Sequence, residues 1–166
     1  MPIADDAERR VVETICLDGQ GSVALLQQRL SPPKASDDSA KPGPKVGDRM
    51  TDGTVYAGTS PDTGKAMYAT PGDAPLTCTF NQARNYAAEL DAHDHNDWRV
   101  PTKDELNVMF QNLAAIGGFN ETGSPPGGWY WSSSEVTYFD AWGQRFSDGD
   151  QSNDGKNVVS SLRLVR

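Results

Sequence analysis

Asp97-Trp-Arg-Val-Pro-Thr-Lys-Asp-Glu-Leu106 carries most of the fold in ten residues. Pro101 cannot sit inside a helix but suits the residue before one. Thr102 and Glu105 have the spacing of a capping box, in which each side chain satisfies the other's free backbone amide. Leu106, Met109, Phe110 and Leu113 then recur at helical spacing until Gly117-Gly118 ends the run, which predicts a helix with one apolar face. Upstream, Thr79-Phe-Asn-Gln82 repeats the box, with Phe80, Ala83, Ala87 and Leu90 on the inward face of a second helix. Trp98 is expected to bury its ring beside the later helix, and Arg99 to offer its fork of donors to a carboxylate or to carbonyls inside the fold.

Outward from these helices the chain reads as strand and turn. Gly53–Ala57 and Lys65–Thr70 are strand-favouring runs joined by Ser60-Pro-Asp-Thr-Gly64, which predicts a β-hairpin. After the Gly/Pro-rich stretch Asn120–Gly128, short strands are expected at Trp129–Ser133, Ala141–Phe146 and Val158–Val165. Along the first of these, Trp129 and Trp131 share one face and Tyr130 takes the other, one face being core. The order of hairpin, two helices and antiparallel meander is that of an α+β fold.

The N-terminal part has a different character. Ala7, Val11, Val12 and Ile15, then Val23, Leu26 and Leu30, fall at helical spacing around Gly19, which makes residues 1–30 a helical arm shaped like a helix-turn-helix fragment. Val12–Leu30 resembles the opening of the winged-helix DNA-reading domain of FtsK-type translocases. The recognition helix and wing that should follow are replaced by the Pro/Ser-rich stretch 31–45, a linker by composition, so docking or homo-oligomer formation is the preferred role of the arm. The main domain is expected over 46–166.

Bulk properties narrow the partners. The chain has 166 residues, 36% of them hydrophobic, with 16 Gly, 11 Pro and a formal net charge of −8, and its mean hydropathy is −0.62. Without a dense Lys/Arg stripe, this balance argues against nucleic acid and against anionic membrane surfaces. No apolar run is long enough to span a bilayer, and the first residues lack the order of a signal peptide, so a cytoplasmic location is expected unless the protein travels on a phage particle or reaches a cell surface by another route.

Three blocks in fixed order, Asp97–Leu106, Trp129-Tyr-Trp-Ser-Ser-Ser-Glu135, and Ala141-Trp142 with Phe146 before Ser161-Leu-Arg-Leu-Val-Arg166, resemble a known family. It is the C-type-lectin-like domain typified by the C-terminal domain of the Legionella collagen-like adhesin, with formylglycine-generating sulfatase-modifying factors and the variable proteins of diversity-generating retroelements among its wider relatives. The resemblance implies a C-type-lectin-like fold with two helices and short antiparallel strands. It also implies a display module that binds a glycan or protein partner, as adhesins and phage receptor binders do. The alternatives are a formylglycine-generating-enzyme-like oxidoreductase and a structural docking subunit.

Recognition on such a framework is expected on loops, and two carry suitable residues. Val136–Asp140 presents Tyr138, Phe139 and Asp140. Ser147–Gly155 presents Asp148, Asp150, Gln151, Ser152 and Asn153, with Gln144 on the adjoining strand. Asp148, Asp150, Asn153 and Asp154 also form a weak oxygen-ligand set for calcium, the one cofactor left open. His93 and His95 belong either to a solvated helix exit or to a transition-metal site. No catalytic residue is expected. Ser132, Ser133 and Ser134 lack a histidine partner, and the cysteine pair on which the oxidoreductase chemistry depends is missing near the C-terminus, where Leu164 stands at a position often held by cysteine in the family. Cys16 and Cys78 lie in separate segments and are read as free buried thiols.

Overall fold

The computed structural model describes residues 42–166. The predicted arm over 1–30 and residues 31–41 of the predicted linker lie outside the described residues. Among the described residues, no helix is long and apolar enough to cross a membrane.

The architecture is α+β. Strands β1 (Val55–Thr59) and β2 (Ala66–Ala69) pair antiparallel as the expected hairpin. Helix α1 (Phe80–Glu89), helix α2 (Lys103–Gln111) and the single turn α3 (Leu113–Ile116) follow. Strands β3 (Trp129–Glu135), β4 (Asp140–Arg145) and β5 (Gln151–Gly155) make a second antiparallel sheet in chain order. Both capping boxes form as read. The Thr79 hydroxyl accepts from the Gln82 amide while the Thr79 amide donates to Gln82 Oε1 at 2.9 Å. The Thr102 amide donates to Glu105 Oε2 at 3.0 Å. Gly117 closes α3 at φ 73°, a conformation that favours glycine.

Two apolar clusters lie on opposite sides of β3. One gathers Val55, Met67, Leu106, Met109, Ile116, Tyr130 and Phe146; the other gathers Phe80, Ala83, Ala87, Trp98, Val100, Trp131 and Leu162. Because neighbouring side chains on a strand point to opposite faces, Tyr130 fills the first cluster and Trp131 the second. The expectation of one core face on β3 is therefore corrected: both faces are buried. Trp131, stacked edge-on against Phe80 with ring centroids 5.8 Å apart, gives up enough apolar area to contribute on the order of 5 kcal/mol, an upper bound.

Two further expectations change. Val158–Val165 is not a strand with one partner. Its second half is extended and shared: Ser160 bridges Cys78, Ser161 bridges Tyr130, and Val165 bridges both Ala69 and Arg99. The C-terminus thus ties the two sheets and the segment before α2 together. Conversely, Gln151–Gly155, expected within a loop, is the edge strand β5, held by pairing with β4 from Gln144↔Gln151 to Asp140↔Gly155.

Arg163 is the keystone of that C-terminal segment. Fully buried, it donates through Nε to Asp73 Oδ1 at 2.8 Å and through its terminal nitrogens to the carbonyls of Thr70, Gly117 and Gly118. Its guanidinium lies 4.0 Å from the centroid of the Phe119 ring. Tyr130 donates to the other oxygen of Asp73 at 2.6 Å. Burial, reinforced by that carboxylate, pushes the Tyr130 phenol far above its ordinary range.

Candidate functional site

The β3–β4 hairpin ends in a tip, Val136–Asp140, whose backbone is fixed locally. Thr137 Oγ1 accepts from the amides of Phe139 and Asp140 and donates to Asp140 Oδ2 at 2.8 Å, while the Val136 amide donates to the Asp140 carbonyl. The rings of Tyr138 and Phe139 stand out from this tip, 85% and 73% exposed, edge to face with centroids 5.0 Å apart. Together the two rings make a small apolar patch on an otherwise polar tip.

Beside the tip runs a groove of about 880 Å³ between the hairpin and the start of α1. Phe80 forms part of its wall, with Asn81, Arg84, Glu135, Asp140 and Lys156 supplying polar groups. Glu135 is shared by two cations, Lys156 Nζ at 2.6 Å and Arg84 Nη1 at 3.3 Å. The Lys156 ammonium holds the Glu135 carboxyl below the usual carboxylate range, with Arg84 adding to the effect. Exposed rings and a balanced set of charges suit reversible binding of a polar ligand with flat faces.

A family comparison bears on this geometry. The model of the Lcl C-terminal domain matches residues 52–166, more than two thirds of the chain. The chain belongs to the Lcl C-terminal domain family. Membership points to an adhesin-like or binding module. No curated protein matches the chain.

Within this Lcl-type domain the sequence-predicted residues separate into four places. Tyr138, Phe139 and Asp140 line the groove at the hairpin tip. Asp148 and Asp150 belong to the turn between β4 and β5, where Arg145 grips Asp148 through two bonds of 2.8 and 2.6 Å and draws its carboxyl below the ordinary range. Ser152 and Asn153 are exposed on β5 and line a separate, smaller groove with Trp129, Val158 and Val159. Gln144 and Gln151 face inward. The Gln144 amide donates to Asn107 Oδ1 and the Gly149 carbonyl, and Gln151 donates to the Lys103 carbonyl. Gln144 is fully buried, so its place among the surface ligand residues is corrected: its amide positions α2 against β4.

The calcium set is dispersed in the same way. Asp148 is occupied by Arg145 and Asp154 Oδ1 accepts from the Gly155 amide at 2.8 Å. Among the described residues no group of three or more His, Cys, Asp or Glu side chains is arranged to hold a metal ion.

His93 and His95 lie where the chain leaves α1, in a tight turn and not in the helix itself. α1 stops at Glu89, and Ala92 and His95 exchange both backbone bonds across a two-residue turn with His93 and Asp94 at φ 58° and 60°. Both rings meet Asp52: His95 Nε2 lies 2.8 Å from Oδ2 and His93 Nδ1 lies 3.0 Å from the carbonyl. The serines of β3 serve backbone as well. Ser132 donates to the Trp142 carbonyl, and Ser134 Oγ accepts from the Lys103 amide. Cys78 is a free thiol, half-buried, and burial raises its pKa, which keeps it a thiol.

The residues missed from sequence are Arg84, Glu135 and Lys156. Each lies in a different segment, and no local spacing links them.

Proposed function

We propose that this domain is a non-enzymatic display module that binds a glycan or protein partner at the hairpin tip, with Tyr138 and Phe139 as its contact rings and the adjoining groove as the seat for the rest of the ligand. One observation carries the reading: two large aromatic side chains are held outward on a backbone tied down by the Thr137 hydroxyl and the Asp140 carbonyl. Aromatic rings offer wide contact area for little lost rotamer freedom, and the groove's amides, carboxylate and guanidinium supply directional bonds around them. Membership of the Lcl C-terminal domain family supports a binding role. The hydroxyls of Ser132 and Ser134 are engaged with backbone and burial keeps Cys78 a thiol, which favours binding over catalysis. The lectin-like reading of the fold belongs to this proposal as well.

The test is a screen of the full chain against arrays of glycans and of surface proteins, run beside a Tyr138→Ala/Phe139→Ala variant. A partner that binds the wild type and loses at least about tenfold in affinity to the double variant supports the site. Equal binding by both proteins moves recognition elsewhere.

A further inference from the structure

We propose that Lys156 is the positioning residue of this recognition tip, a role that rests on the binding reading above but is measurable without any ligand. Lys156 lies just beyond β5, and it serves three consecutive carbonyls of the tip. Its ammonium donates to the carbonyls of Thr137 and Tyr138, both at 2.9 Å, and its backbone amide donates to that of Phe139 at 2.8 Å. The third ammonium bond goes to Glu135 Oε2 at 2.6 Å, on the strand that leads into the tip. A protonated lysine has three donors, and all three are used.

The ammonium is also well placed to be strong there. Its side chain is 14% exposed, and it lies 5.2 Å from the Phe80 ring and 5.9 Å from the Tyr138 ring. Partial removal from water strengthens bonds between a charge and carbonyl oxygens. The Lys156 carbonyl accepts from the amide of Phe80, one of the unpaired donors at the start of α1. One residue therefore joins α1, the end of β5 and the hairpin tip, which are the walls of the groove.

The consequence is a division of labour. Carbonyls 137 to 139 are bonded internally, so the tip addresses a ligand chiefly through side chains, and none of the hydrogen bonds that fix the backbone is made by the rings at 138 and 139. Lys156 sets where those side chains point. It is the joint through which changes behind the tip alter affinity in front of it.

Hydrogen exchange of the full-length chain, without ligand, tests this in Lys156→Met and Lys156→Arg. The amides of Val136, Thr137, Phe139 and Asp140 are protected by bonds inside the tip. In Lys156→Met they are expected to exchange faster by roughly tenfold or more, because charged hydrogen bonds have been removed, while amides of Trp131 and Gly143 keep their protection. Lys156→Arg retains the charge and is expected to restore part of the protection. Unchanged exchange at the tip in Lys156→Met overturns the proposal, as does an equal rise across β3 and β4. Failure of the array screen with an opened tip in Lys156→Met would remove the binding reading and leave the positioning result standing.

Discussion

Glu105 and Arg99 meet as a fork on a fork: Nη1 lies 2.5 Å from Oε2 and Nη2 2.7 Å from Oε1. The carboxylate also accepts from Ser60 Oγ at 2.6 Å and from the Thr102 amide. A single side chain thus closes the α2 capping box, anchors the β1–β2 hairpin at Ser60 and fixes the segment that follows Trp98. Burial raises the Glu105 pKa, and the donors from Arg99, Ser60 and Thr102 outweigh it, leaving the group below its ordinary value.

Glu105→Gln is therefore expected to cost about 2–4 kcal/mol. Gln keeps the shape but offers Arg99 a neutral amide, and one of its termini is a donor facing donors. The lower part of the range for breaking a buried pair applies because the Arg99 side chain is 42% exposed and water can reach it, whereas Glu105 is 1% exposed. Thermal unfolding should show the midpoint falling by roughly 8–15 °C. A shift of a degree or so would mean that the pair adds shape and no stability.

Asp52 gives the domain an acid-sensitive contact. The hydrogen bond to His95, helped by those from the Thr54 amide and hydroxyl, lowers its pKa from 3.8 to about 2. A carboxyl lowered in the folded state stabilises fully above its unfolded value, and that contribution disappears as pH falls through the folded value. Asp52→Asn should hence be less stable than the wild type at neutral pH, with the gap narrowing between about pH 4 and about pH 2. Denaturant midpoints measured across that interval check it; a gap that stays constant would show that the ionised carboxylate is not what His95 and Thr54 stabilise.

How far these features were legible follows from how local they are. Thr79 with Gln82 and Thr102 with Glu105 are three residues apart, so spacing alone revealed both capping boxes. Gln151–Gly155 contains no strand-favouring residue, and β5 exists because β4 pairs with it, so composition pointed to a loop. Gln144 looked like a surface polar residue because a buried amide differs from an exposed one only in its partners, here Asn107 and Gly149. The aromatics of the hairpin tip, Tyr138 and Phe139, are visible in one segment, and their exposure agrees with the loop position read for them. Lys156 escaped notice because Glu135 is 21 residues away, and Arg163 because its partners lie 45 to 93 residues away.

Arg163→Lys should behave as a severe change despite keeping the charge. The guanidinium reaches Asp73 and three carbonyls at once from a fully buried position and stacks on Phe119. An ammonium is a point donor on a narrower stem, so it leaves buried carbonyls unmatched and removes the stacked plane. The expected loss is about 3 kcal/mol or more, read as a lower urea midpoint at unchanged slope. Loss of under about 1 kcal/mol would show that water replaces the missing donors.

Tyr138 and Phe139 define the opposite case. Large aromatics normally stabilise a fold by leaving water, yet these two remain mostly solvated in the folded chain and pack chiefly on each other. Tyr138→Ser with Phe139→Ser should thus change stability by no more than about 0.5 kcal/mol, or slightly raise solubility, whereas partner binding is lost. The backbone bonds from Thr137 and Lys156 do not involve either ring, so exchange protection at the tip should also persist in the double variant. A drop of 2 kcal/mol or more, on the scale of about 1.5–3 kcal/mol for burying one large apolar side chain, would place the rings in the core and take the recognition role from them.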